Sequence, residues 1–470
     1  MLKRPENLGV IHFIGIGGIG MSGIAEIMNN LGYNITGSDQ ANNSNVKRLK
    51  KNGIKIFLGH KSSNISSASL VVYSSAIPQN NCEIEAAKEL NIPIIGRSEM
   101  LRELMRMKKT ITVAGSHGKT TTVSLIAAIF DYAEHDPTVI NGGIINSYGS
   151  NTKLGESDLM LVETDESDGS FSFLPSFSGV ITSIDNEHID YYGSKKKLLD
   201  SFFSYCKNIS PFGFLAVSEK DKNIKALIQN LHSLNIYKYG FSDNCDIQGK
   251  ILRKDKNKIF FNVSIKGSDL KEGLIENISF PVLGKHNVEN ALAAITVAYN
   301  FNIDLEIIKK ALENFNGVKR RLTKIYEKNN ITFYDDYAHH PTEIKETIKA
   351  LKSFEGRLIS VVQPHRYSRL RDNYKQFLKS FSGSDLVLIL PVYEAGEKKI
   401  DSLTSEILAS DISQKGFSDA IYFENFSSLK DEIKKIIKPN DTVVFMGAGS
   451  ISSWCNKFVQ EFILLDQNNE

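Results

Sequence analysis

Cysteine is scarce in this sequence, and its few cysteines are too far apart to suggest a cysteine-based site. The four are Cys82, Cys206, Cys245 and Cys455, and no two of them form a C-x-x-C pair. This spacing argues against a zinc knuckle and provides no disulfide framework. We therefore expect incidental free thiols in a reducing compartment.

The sequence also lacks an excess of charge of one sign and a long apolar run. Lys plus Arg total 56 and Asp plus Glu total 54, which gives a net charge of +2. This balance gives no support for nucleic acid or a membrane surface as the main partner. No apolar run reaches the length of a membrane span. Glycines interrupt the apolar stretch near the N-terminus, which therefore predicts a strand and a loop and not a signal peptide. We expect a cytoplasmic protein, and no pattern indicates an oligomeric state.

Length and patterning predict an α/β protein of three domains. The chain has 470 residues, which suggests roughly three domains of ordinary size. Apolar runs predict strands at 10–15, 34–37, 70–73, 92–95, 110–114, 159–163, 179–183, 331–334, 358–362, 386–390 and 442–446, and an alternating pattern indicates a further strand at 259–265. Helical segments alternate with these strands, as is typical of parallel, doubly wound sheets. The pattern restarts twice, so we predict domains at 1–107, 108–318 and 319–470.

A glycine loop follows the first predicted strand. Gly15-Ile16-Gly17-Gly18-Ile19-Gly20 matches G-x-G-x-x-G, and a helix is predicted directly after it. Glycines allow the backbone to approach a diphosphate, and the helix N-terminus favours negative charge. Asp39 ends the next strand, where it could accept a bond from a ribose hydroxyl. Alone, the pattern also fits an NAD-dependent oxidoreductase or a turn that only packs the helix against the sheet.

A second glycine loop lies between the strand at 110–114 and a helix. Gly115-Ser116-His117-Gly118-Lys119-Thr120-Thr121 resembles a P-loop that is two residues shorter than usual. Its N–H groups and Lys119 can hold the β- and γ-phosphates of ATP, and Thr120 can ligate Mg²⁺. An oxidoreductase does not need such a γ-phosphate site. The two loops together suggest that one nucleotide-linked substrate meets one ATP.

Acidic and histidine residues follow the next two central strands. Glu163 ends the strand at 159–163, and His188 follows the strand at 179–183. Ligands bind at the carboxyl ends of parallel strands, so these side chains are candidates for Mg²⁺ binding together with Thr120. His188 is the less typical Mg²⁺ ligand. A solvated acidic loop with a surface histidine is the alternative.

Two strand ends of the third domain carry histidine and arginine. The first segment runs from Asp335 to Pro341 and includes His339, and the second contains Arg366 and Arg369. Paired arginine N–H groups bind a carboxylate well, and the carboxylate of an amino acid is a suitable target.

With these motifs in order, the chain resembles the Mur ligase family over essentially its whole length. The segments that carry the resemblance are 12–26, 115–122, 163–168, 281–287, 290–291, 317–321, 335–341, 363–369 and 447–451. Three departures are mild, and none removes a predicted ligand. Ser116 stands where Thr is commoner, Thr164 stands where a small apolar residue is usual, and 185–188 reads Asp-Asn-Glu-His instead of Glu-Ala-Asp-His.

The resemblance implies a Rossmann-like N-terminal domain, a central P-loop-type ATP-binding parallel sheet and a Rossmann-like C-terminal domain. It implies ATP- and Mg²⁺-dependent ligation of L-alanine to the lactyl carboxylate of UDP-N-acetylmuramic acid through an acyl phosphate, in peptidoglycan precursor synthesis. The C-terminal domain is then expected to close over ATP and to bring the amino acid.

The resemblance also implies individual residue roles. The catalytic set is Lys119, His188, Arg321, His339, Arg366 and Arg369. The ATP-binding set is Gly115, Ser116, His117, Gly118, Lys119, Thr120 and Thr121, with adenine contacts from His286 and Asn290. The UDP-sugar set is Gly15, Gly17, Gly18, Ile19, Gly20, Asp39 and Ser74. The metal set is Thr120, Glu163 and His188.

Three alternatives to alanine ligation remain. A sister ligase attaches a ready-made tripeptide to the same sugar nucleotide, although the segment 15–24 favours alanine addition. The NAD-dependent oxidoreductase is disfavoured by the second glycine loop. A non-catalytic nucleotide switch would leave the histidine–arginine cluster of the third domain unexplained.

Overall fold

A computed structural model describes residues 9–74, 76–267, 271–328, 330–352 and 356–467 of the chain. The described residues form two compact units. Unit 1 comprises Met1–Leu252, Phe261–Ser279 and Glu289–Asn316, and unit 2 comprises Arg253–Phe260, Phe280–Val288 and Gly317–Glu470. Most of the first two predicted domains therefore falls in unit 1, and the third falls in unit 2. The three domain boundaries stay a prediction.

The first sheet of unit 1 confirms the predicted Rossmann-like arrangement. Its strands are β1 (Val10–Ile14), β2 (Ile35–Asp39), β3 (Lys55–Leu58), β4 (Ala68–Tyr73) and β5 (Ile94–Gly96). Their spatial order is β3-β2-β1-β4-β5, and all neighbours are parallel. From β1 the chain adds β2 and β3 on one side and then crosses to add β4 and β5 on the other side. Doubly wound sheets bind their ligands at such a switch point. The glycine loop follows β1 and so lies at this position.

A larger sheet follows along the chain. Its strands are β6 (Lys109–Ala114), β7 (Thr138–Ile145), β8 (Ser150–Lys153), β9 (Leu159–Glu163), β10 (Ser178–Ile181), β11 (Phe214–Ser218), β12 (Asn235–Gly240), β13 (Ile247–Lys254), β14 (Ile259–Ile265) and β15 (Gly273–Phe280). The order of the ten strands is β15-β14-β13-β12-β11-β10-β6-β9-β7-β8. Strand β6 lies between β10 and β9 and is parallel to both. The second glycine loop therefore emerges between the strand ends that carry Glu163 and the segment 182–188.

Unit 2 contains a sheet of six strands. They are β16 (Thr323–Lys328), β17 (Ile331–Asp336), β18 (Leu358–Val362), β19 (Leu386–Ile389), β20 (Asp419–Tyr422) and β21 (Thr442–Met446). Their order is β16-β17-β21-β18-β19-β20, and only the β16–β17 pair is antiparallel. All five residues of β18 and of β21 are buried, as expected for parallel strands covered on both faces.

Helices connect the strands and cover the sheets. They are α1 (Ile19–Asn30), α2 (Ser44–Lys51), α3 (Cys82–Glu89), α4 (Arg97–Arg106), α5 (Lys119–Tyr132), α6 (Ile189–Tyr192), α7 (Lys195–Lys207), α8 (Lys222–Ile228), α9 (Lys285–Asn300), α10 (Leu305–Glu313), α11 (Pro341–Leu351), α12 (Tyr367–Asp372), α13 (Tyr374–Ser380), α14 (Ser405–Gln414), α15 (Phe426–Ile436) and α16 (Ile451–Gln467).

The two helices behind the glycine loops begin earlier than their apolar patterns predict. The sequence places each helix after its glycine motif, whereas α1 begins at Ile19 and α5 at Lys119, inside the motifs. The reason is that glycines, Gly18 and Gly118, occupy the N-cap positions. Each helix therefore begins inside its glycine motif, and the N–H groups of its first turn lie at the loop.

One apolar cluster of unit 1 combines side chains from the first and the central predicted domains. Ile24 and Leu101 pack in the same cluster as Ile140, Met160 and Val162. Separation of the two predicted domains would expose the apolar surface of this cluster to water, which costs free energy. Helix α1 and the β7–β8 hairpin are therefore held together inside unit 1.

Candidate functional site

The N-terminal glycine loop is held by hydrogen bonds from the neighbouring strand β2. The N–H groups of Gly15 and Ile16 donate to the carbonyl oxygen of Ser38 at 2.8 Å and 3.1 Å. The N–H of Gly17 donates to Asp39 Oδ2 at 2.8 Å. The second carboxylate oxygen of Asp39 accepts from the N–H of Ala41 at 2.9 Å. Asp39 thus shapes the loop itself, and its contact with a ribose stays a prediction.

Close packing explains why glycine is needed at Gly17. A Cβ atom there would lie 2.7 Å from Val46 Cγ2 and 2.8 Å from Asp39 Oδ2. The carbonyl oxygen of Gly17 also accepts from the side-chain amides of Asn43 and Asn45, at 3.1 Å and 3.0 Å. Both peptide groups of Gly17 are therefore fixed, which gives the loop a defined shape for a diphosphate.

The other residues predicted for the sugar nucleotide surround the same loop. The N–H of Ser74 donates to the carbonyl oxygen of Ile14 at 3.2 Å, and a Cβ at Gly15 would lie 3.4 Å from Ser74 Cβ. Gly18 and Gly20 flank Ile19, whose side chain is 46% exposed. Strand ends β1, β2 and β4 thus bring these predicted residues together.

Arg97 is a cation beside this loop that the sequence reasoning missed. A Cβ at Gly20 would lie 3.3 Å from Arg97 Cδ. Arg97 Nη2 lies 3.3 Å from Asp168 Oδ2, in the acidic segment after β9. Its position directly after strand β5, at the carboxyl end of a parallel strand, is the sequence feature that could have identified Arg97. A guanidinium here suits a diphosphate.

The second glycine loop is joined to the segment after β10. The N–H of Ser116 donates to the carbonyl oxygen of Ser183 at 2.9 Å, and Ser116 Oγ accepts from the N–H of Asp185 at 2.8 Å. The N–H of His117 donates to Ser183 Oγ at 3.1 Å. Thr182 Oγ1 donates to the carbonyl oxygen of His117 at 2.6 Å. The loop is thus preorganised by the strand next to its own.

Asn290 lies against this loop, and its predicted contact with adenine stays a prediction. Gly118 has φ +81°, and a Cβ there would lie 2.5 Å from Asn290 Oδ1. Gly115 has φ +132°, and a Cβ there would overlap Thr182 Oγ1. Side chains are excluded at both positions, which leaves the backbone open to phosphate. The loop therefore fits the phosphates of a nucleotide.

Lys119 is buried among carboxylates at the start of α5. Its Nζ donates to Glu166 Oε2 at 2.6 Å and to the carbonyl oxygen of Gly115 at 2.5 Å. Burial lowers the pKa of Lys119, but the charges of Glu166, Glu163 and Asp165 outweigh this effect and raise it above its ordinary value. Lys119 is therefore a permanent cation at the phosphate loop.

Thr120 and Glu163 form an oxygen pair that fits Mg²⁺. Thr120 Oγ1 donates to Glu163 Oε1 at 3.0 Å, and Glu163 Oε2 accepts from the N–H of Gly142 at 2.6 Å. A hydroxyl and a carboxylate beside a phosphate loop are the ligands that Mg²⁺ prefers. The residues present therefore suit the predicted ion.

The structure groups His188, the third predicted metal ligand, with different carboxylates. His188 Nε2 lies 3.8 Å from Glu166 Oε1 and 3.7 Å from Glu187 Oε2. These three residues bring their ligand atoms within 4.8 Å of one another. Glu166 and Glu187 were not among the predicted ligands, although both stand in the acidic segments that the sequence singled out. A role for His188 at the metal stays a prediction.

In unit 2, the predicted histidine and arginine residues lie together at the ends of β17 and β18. The rings of His339 and His365 are 5.7 Å apart, and Arg369 Nη1 lies 3.1 Å from His365 Nδ1. The N–H of Arg366 donates to the carbonyl oxygen of Tyr393 at 2.9 Å. Burial and the charges of His339, Arg369 and Arg366 lower the pKa of His365 to about 3. The His365 imidazole is therefore neutral near pH 7. The guanidinium groups of Arg366 and Arg369 make the cluster positive, so it attracts an anion.

Arg321 and His286 also belong to unit 2. Arg320 and Arg321 place their guanidinium carbons 4.7 Å and 5.1 Å from the centre of the Tyr337 ring. Arg320 Nη2 donates to the carbonyl oxygen of Gly447 at 2.8 Å. A Cβ at Gly284 would lie 2.5 Å from His286 Cε1, so the imidazole packs over that glycine. Phosphate and adenine contacts of these side chains stay predictions.

Three family descriptions cover nearly the whole chain. "Mur ligase family, catalytic domain" matches residues 10–109, "Mur ligase middle domain" matches 113–298, and "Mur ligase, glutamate ligase domain" matches 320–449. The chain belongs to the Mur ligase family.

Individual Mur ligases are similar to this chain over its full length. The UDP-N-acetylmuramate–L-alanine ligase of Mesorhizobium japonicum is 44% identical, with 98% of this chain and 99% of that protein covered. The enzyme of the same name from Bartonella henselae is 43% identical, with 100% and 99% covered. The crystal structure of UDP-N-acetylmuramate–alanine ligase MurC from Thermotoga maritima is 29% identical and superposes with a TM-score of 0.81, covering 98% of this chain and 100% of that chain. The three-domain α/β fold predicted from the sequence is thus confirmed.

Among the helices that the structure describes, none is both long and apolar enough to cross a membrane.

Proposed function

We propose that this Mur ligase joins L-alanine to the lactyl carboxylate of UDP-N-acetylmuramic acid through an acyl phosphate, with conversion of ATP to ADP and phosphate, in peptidoglycan precursor synthesis. The observation that carries the proposal is the pair of glycine loops in unit 1. One has a diphosphate-binding form, and the other has Lys119, Thr120 and Glu163 around it. The relatives named above carry this activity in their names.

The first step transfers the γ-phosphoryl group of ATP to the lactyl carboxylate. A carboxylate oxygen attacks phosphorus, the bond to the β-phosphate oxygen breaks, and ADP leaves. The carboxylate is already an anion at neutral pH, so this step needs positioning and charge neutralisation more than a base. Lys119 supplies a fixed positive charge at the phosphates because its pKa is raised. Arg321 is the predicted contribution of unit 2.

Thr120 and Glu163 would hold Mg²⁺, with His188 as the further predicted ligand. The ion, when bound, neutralises phosphate charge during the transfer.

The second step forms the amide. The amine of alanine attacks the acyl carbon, the bond between that carbon and the phosphate oxygen breaks, and inorganic phosphate leaves. Arg366 and Arg369 would bind the alanine carboxylate through charge-assisted hydrogen bonds. The attacking amine must lose a proton, and the imidazole group of His339 is the proposed acceptor, since the low pKa of His365 makes that ring a poor base. Exclusion of water would protect the acyl phosphate from hydrolysis.

We place this reaction in the cytoplasm, where ATP and the sugar nucleotide are both available. The free thiols of Cys82, Cys206, Cys245 and Cys455 agree with a reducing compartment.

Phosphate release with defined substrates tests the proposed function. The purified protein is incubated with ATP, Mg²⁺ and UDP-N-acetylmuramic acid, with L-alanine in one tube and the ready-made tripeptide in another. We expect alanine-dependent phosphate release and a product that is heavier by one alanyl unit. Release with the tripeptide alone would assign the sister reaction. No release with either substrate would refute ligase activity.

A further inference from the structure

Two buried asparagines connect the N-terminal glycine loop with the ATP loop of unit 1. Asn151 on β8 is 0% exposed, and Asn141 on β7 is 3% exposed. Asn151 Nδ2 donates to the carbonyl oxygen of Ile19 at 3.0 Å and to that of Asn141 at 3.3 Å. Asn151 Oδ1 accepts from Arg48 Nη2 at 3.3 Å. The Nδ2 group of Asn151 thus joins the sugar-nucleotide loop to the central sheet, and its Oδ1 atom is held by Arg48.

From Asn141 the hydrogen bonds continue to the ATP loop. Asn141 Nδ2 donates to Ser124 Oγ at 2.9 Å, and Ser124 Oγ donates to the carbonyl oxygen of Thr120 at 2.7 Å. The residue after Asn141 is Gly142, whose N–H bonds Glu163 at 2.6 Å. Strand β7 therefore holds the Glu163 carboxylate through Gly142, reaches the backbone of Thr120 through Ser124, and also receives the bond from Asn151.

Packing around Asn151 leaves little room for a shift. A Cβ atom at Gly23 on α1 would overlap Thr152 Cγ2, so α1 and β8 touch directly. Thr152 Oγ1 donates to Glu26 Oε2 at 3.0 Å, and Arg48 Nε lies 3.4 Å from the same oxygen. Asn151 is surrounded by these contacts, and its amide cannot turn away without losing its own bonds to the carbonyl oxygens of Ile19 and Asn141 inside a buried site.

We infer that Asn151 is a positioning residue that fixes the spacing between the two glycine loops. The inference rests on the proposed function, because the lactyl carboxylate held by the first loop must reach the γ-phosphate held by the second. Phosphoryl transfer depends on alignment of the reacting atoms, and a displacement of about 1 Å can lower the rate about 100-fold. Asn151 binds neither substrate. It acts through Ile19 at the first loop and through Asn141 at the second.

Asn151→Asp tests this role with little change in shape. The variant replaces the donor Nδ2 with an oxygen that faces two carbonyl oxygens, so the bonds to Ile19 and Asn141 are lost. Thr152→Val is the matched control. It removes the bond to Glu26 in the same interface and leaves the hydrogen bonds from Asn151 to Ile19 and Asn141 intact. Circular dichroism establishes that both variants fold. If Asn151→Asp does not fold, Asn151→Ser removes the amide without adding a charge.

Steady-state phosphate release is the first measurement. We expect Asn151→Asp to lower kcat by roughly 10- to 100-fold, with KM for ATP and for the sugar nucleotide within about 3-fold of the original. Thr152→Val should keep kcat within about 2-fold. A wild-type kcat in the folded Asn151→Asp protein would overturn the inference. An equal loss in Thr152→Val would also overturn it, since interface stability alone would then explain the effect.

Ligand coupling is the second measurement, and it does not depend on turnover. Calorimetry gives the Kd of a non-hydrolysable ATP analogue with Mg²⁺, with and without UDP-N-acetylmuramic acid. We expect a coupling factor different from one in the original protein and in Thr152→Val, and a factor close to one in Asn151→Asp. Absence of coupling in the original protein, or an unchanged factor in Asn151→Asp, would contradict the inference. Binding without alanyl product would reject only the proposed function.

Discussion

At the scale of single residues, Lys119 is the side chain on which phosphate binding depends most in the proposed reaction. Its ammonium group contacts Glu166 and the Gly115 carbonyl, and its pKa is raised. We expect Lys119→Met to lower kcat/KM for ATP by roughly 100- to 1,000-fold, because a fixed charge at the phosphates is lost. Alanine-dependent phosphate release measures this effect.

Lys153→Met is the control for Lys119→Met. Lys153 pairs with Asp131 and Asp136 at 2.8 Å and 2.6 Å, away from the glycine loops. Its replacement should change kcat/KM by no more than a few-fold. Retention of more than about a tenth of the activity in Lys119→Met would contradict a direct role at the phosphates.

Glu83, on helix α3 beside the first sheet of unit 1, is a buried carboxylate with a structural role. It is 0% exposed and accepts from Ser38 Oγ at 2.5 Å and from Asn64 Nδ2 at 2.6 Å. Burial raises its pKa, but the nearby His12 imidazole, 3.6 Å away, and the hydrogen bonds from Ser38 and Asn64 outweigh this effect and lower the pKa from 4.5 to about 2. The carboxylate thereby supports Ser38, whose carbonyl oxygen holds the glycine loop.

The direction of this shift predicts how stability depends on pH. A folded-state pKa below the unfolded value stabilises the protein above pH 4.5, and the contribution is lost as pH falls toward 2. We expect Glu83→Gln to lower the free energy of unfolding by about 2 kcal/mol at pH 7, and the difference to narrow below pH 4.5.

Urea unfolding followed by circular dichroism, from pH 7 to about pH 3.5, measures the difference for Glu83→Gln. Glu85→Gln on the same helix is the control, because Glu85 is exposed and its replacement should have little effect at any pH. A constant difference for Glu83→Gln over the whole range would show that its charge is not involved.

At the scale of elements, the turn from β6 into α5 requires glycine for two separable reasons. Gly118 has φ +81°, and its missing Cβ also leaves room for Asn290. We expect Gly118→Ala to destabilise the protein by about 2 kcal/mol and to weaken ADP binding at least about 10-fold. Calorimetry with ADP and thermal unfolding measure the two effects.

Gly149 provides a control that separates backbone strain from the contact with Asn290. It has φ +62°, and a Cβ there would meet nothing within 4 Å. Gly149→Ala should therefore destabilise by only about 1 kcal/mol and leave ADP binding unchanged. Equal effects of the two substitutions would mean that strain alone accounts for the loss.

At the scale of elements, the sequence patterns predicted the bounds of some strands and missed other strands. Strands β9, β18 and β21 have the predicted bounds, because runs of apolar residues in buried strands are readily recognised. Strand β14 also has the predicted bounds, because its residues alternate between buried and half-buried. The hairpin of β7 and β8 was not predicted. Its segments 141–143 and 146–152 are rich in Asn, Gly and Ser, which are typical of turns. This hairpin forms because α1 packs against it, and that contact is not local in sequence.

At the scale of the whole molecule, ligands that bind only the folded protein should stabilise it by an amount that grows with the logarithm of their concentration relative to Kd. ADP with Mg²⁺ at about 100 times its Kd should add about 2.7 kcal/mol to the free energy of unfolding. Removal of the metal with EDTA should reduce this gain. We expect Glu163→Gln to abolish the part that depends on Mg²⁺, because one of the two oxygen ligands is lost.

UDP-N-acetylmuramic acid is the control ligand for Glu163→Gln. It should raise the unfolding temperature of the variant as much as that of the original protein, because the N-terminal glycine loop is unchanged. A full Mg²⁺-dependent gain with ADP in Glu163→Gln would exclude Glu163 as a ligand of the ion.

The sequence by itself determined the fold class and the strand ends at which the site residues stand. Apolar runs mark buried strands, and glycine, lysine and carboxylates directly after them mark the loops, so this information is local. Only the tertiary structure decided that Glu166 pairs with Lys119, that Arg97 lies beside Gly20 and that Asn151 bonds Ile19. The bond between Asn151 and Ile19 spans 132 positions of the chain. Such contacts depend on how sheets and helices pack, and no local pattern of residues carries that information.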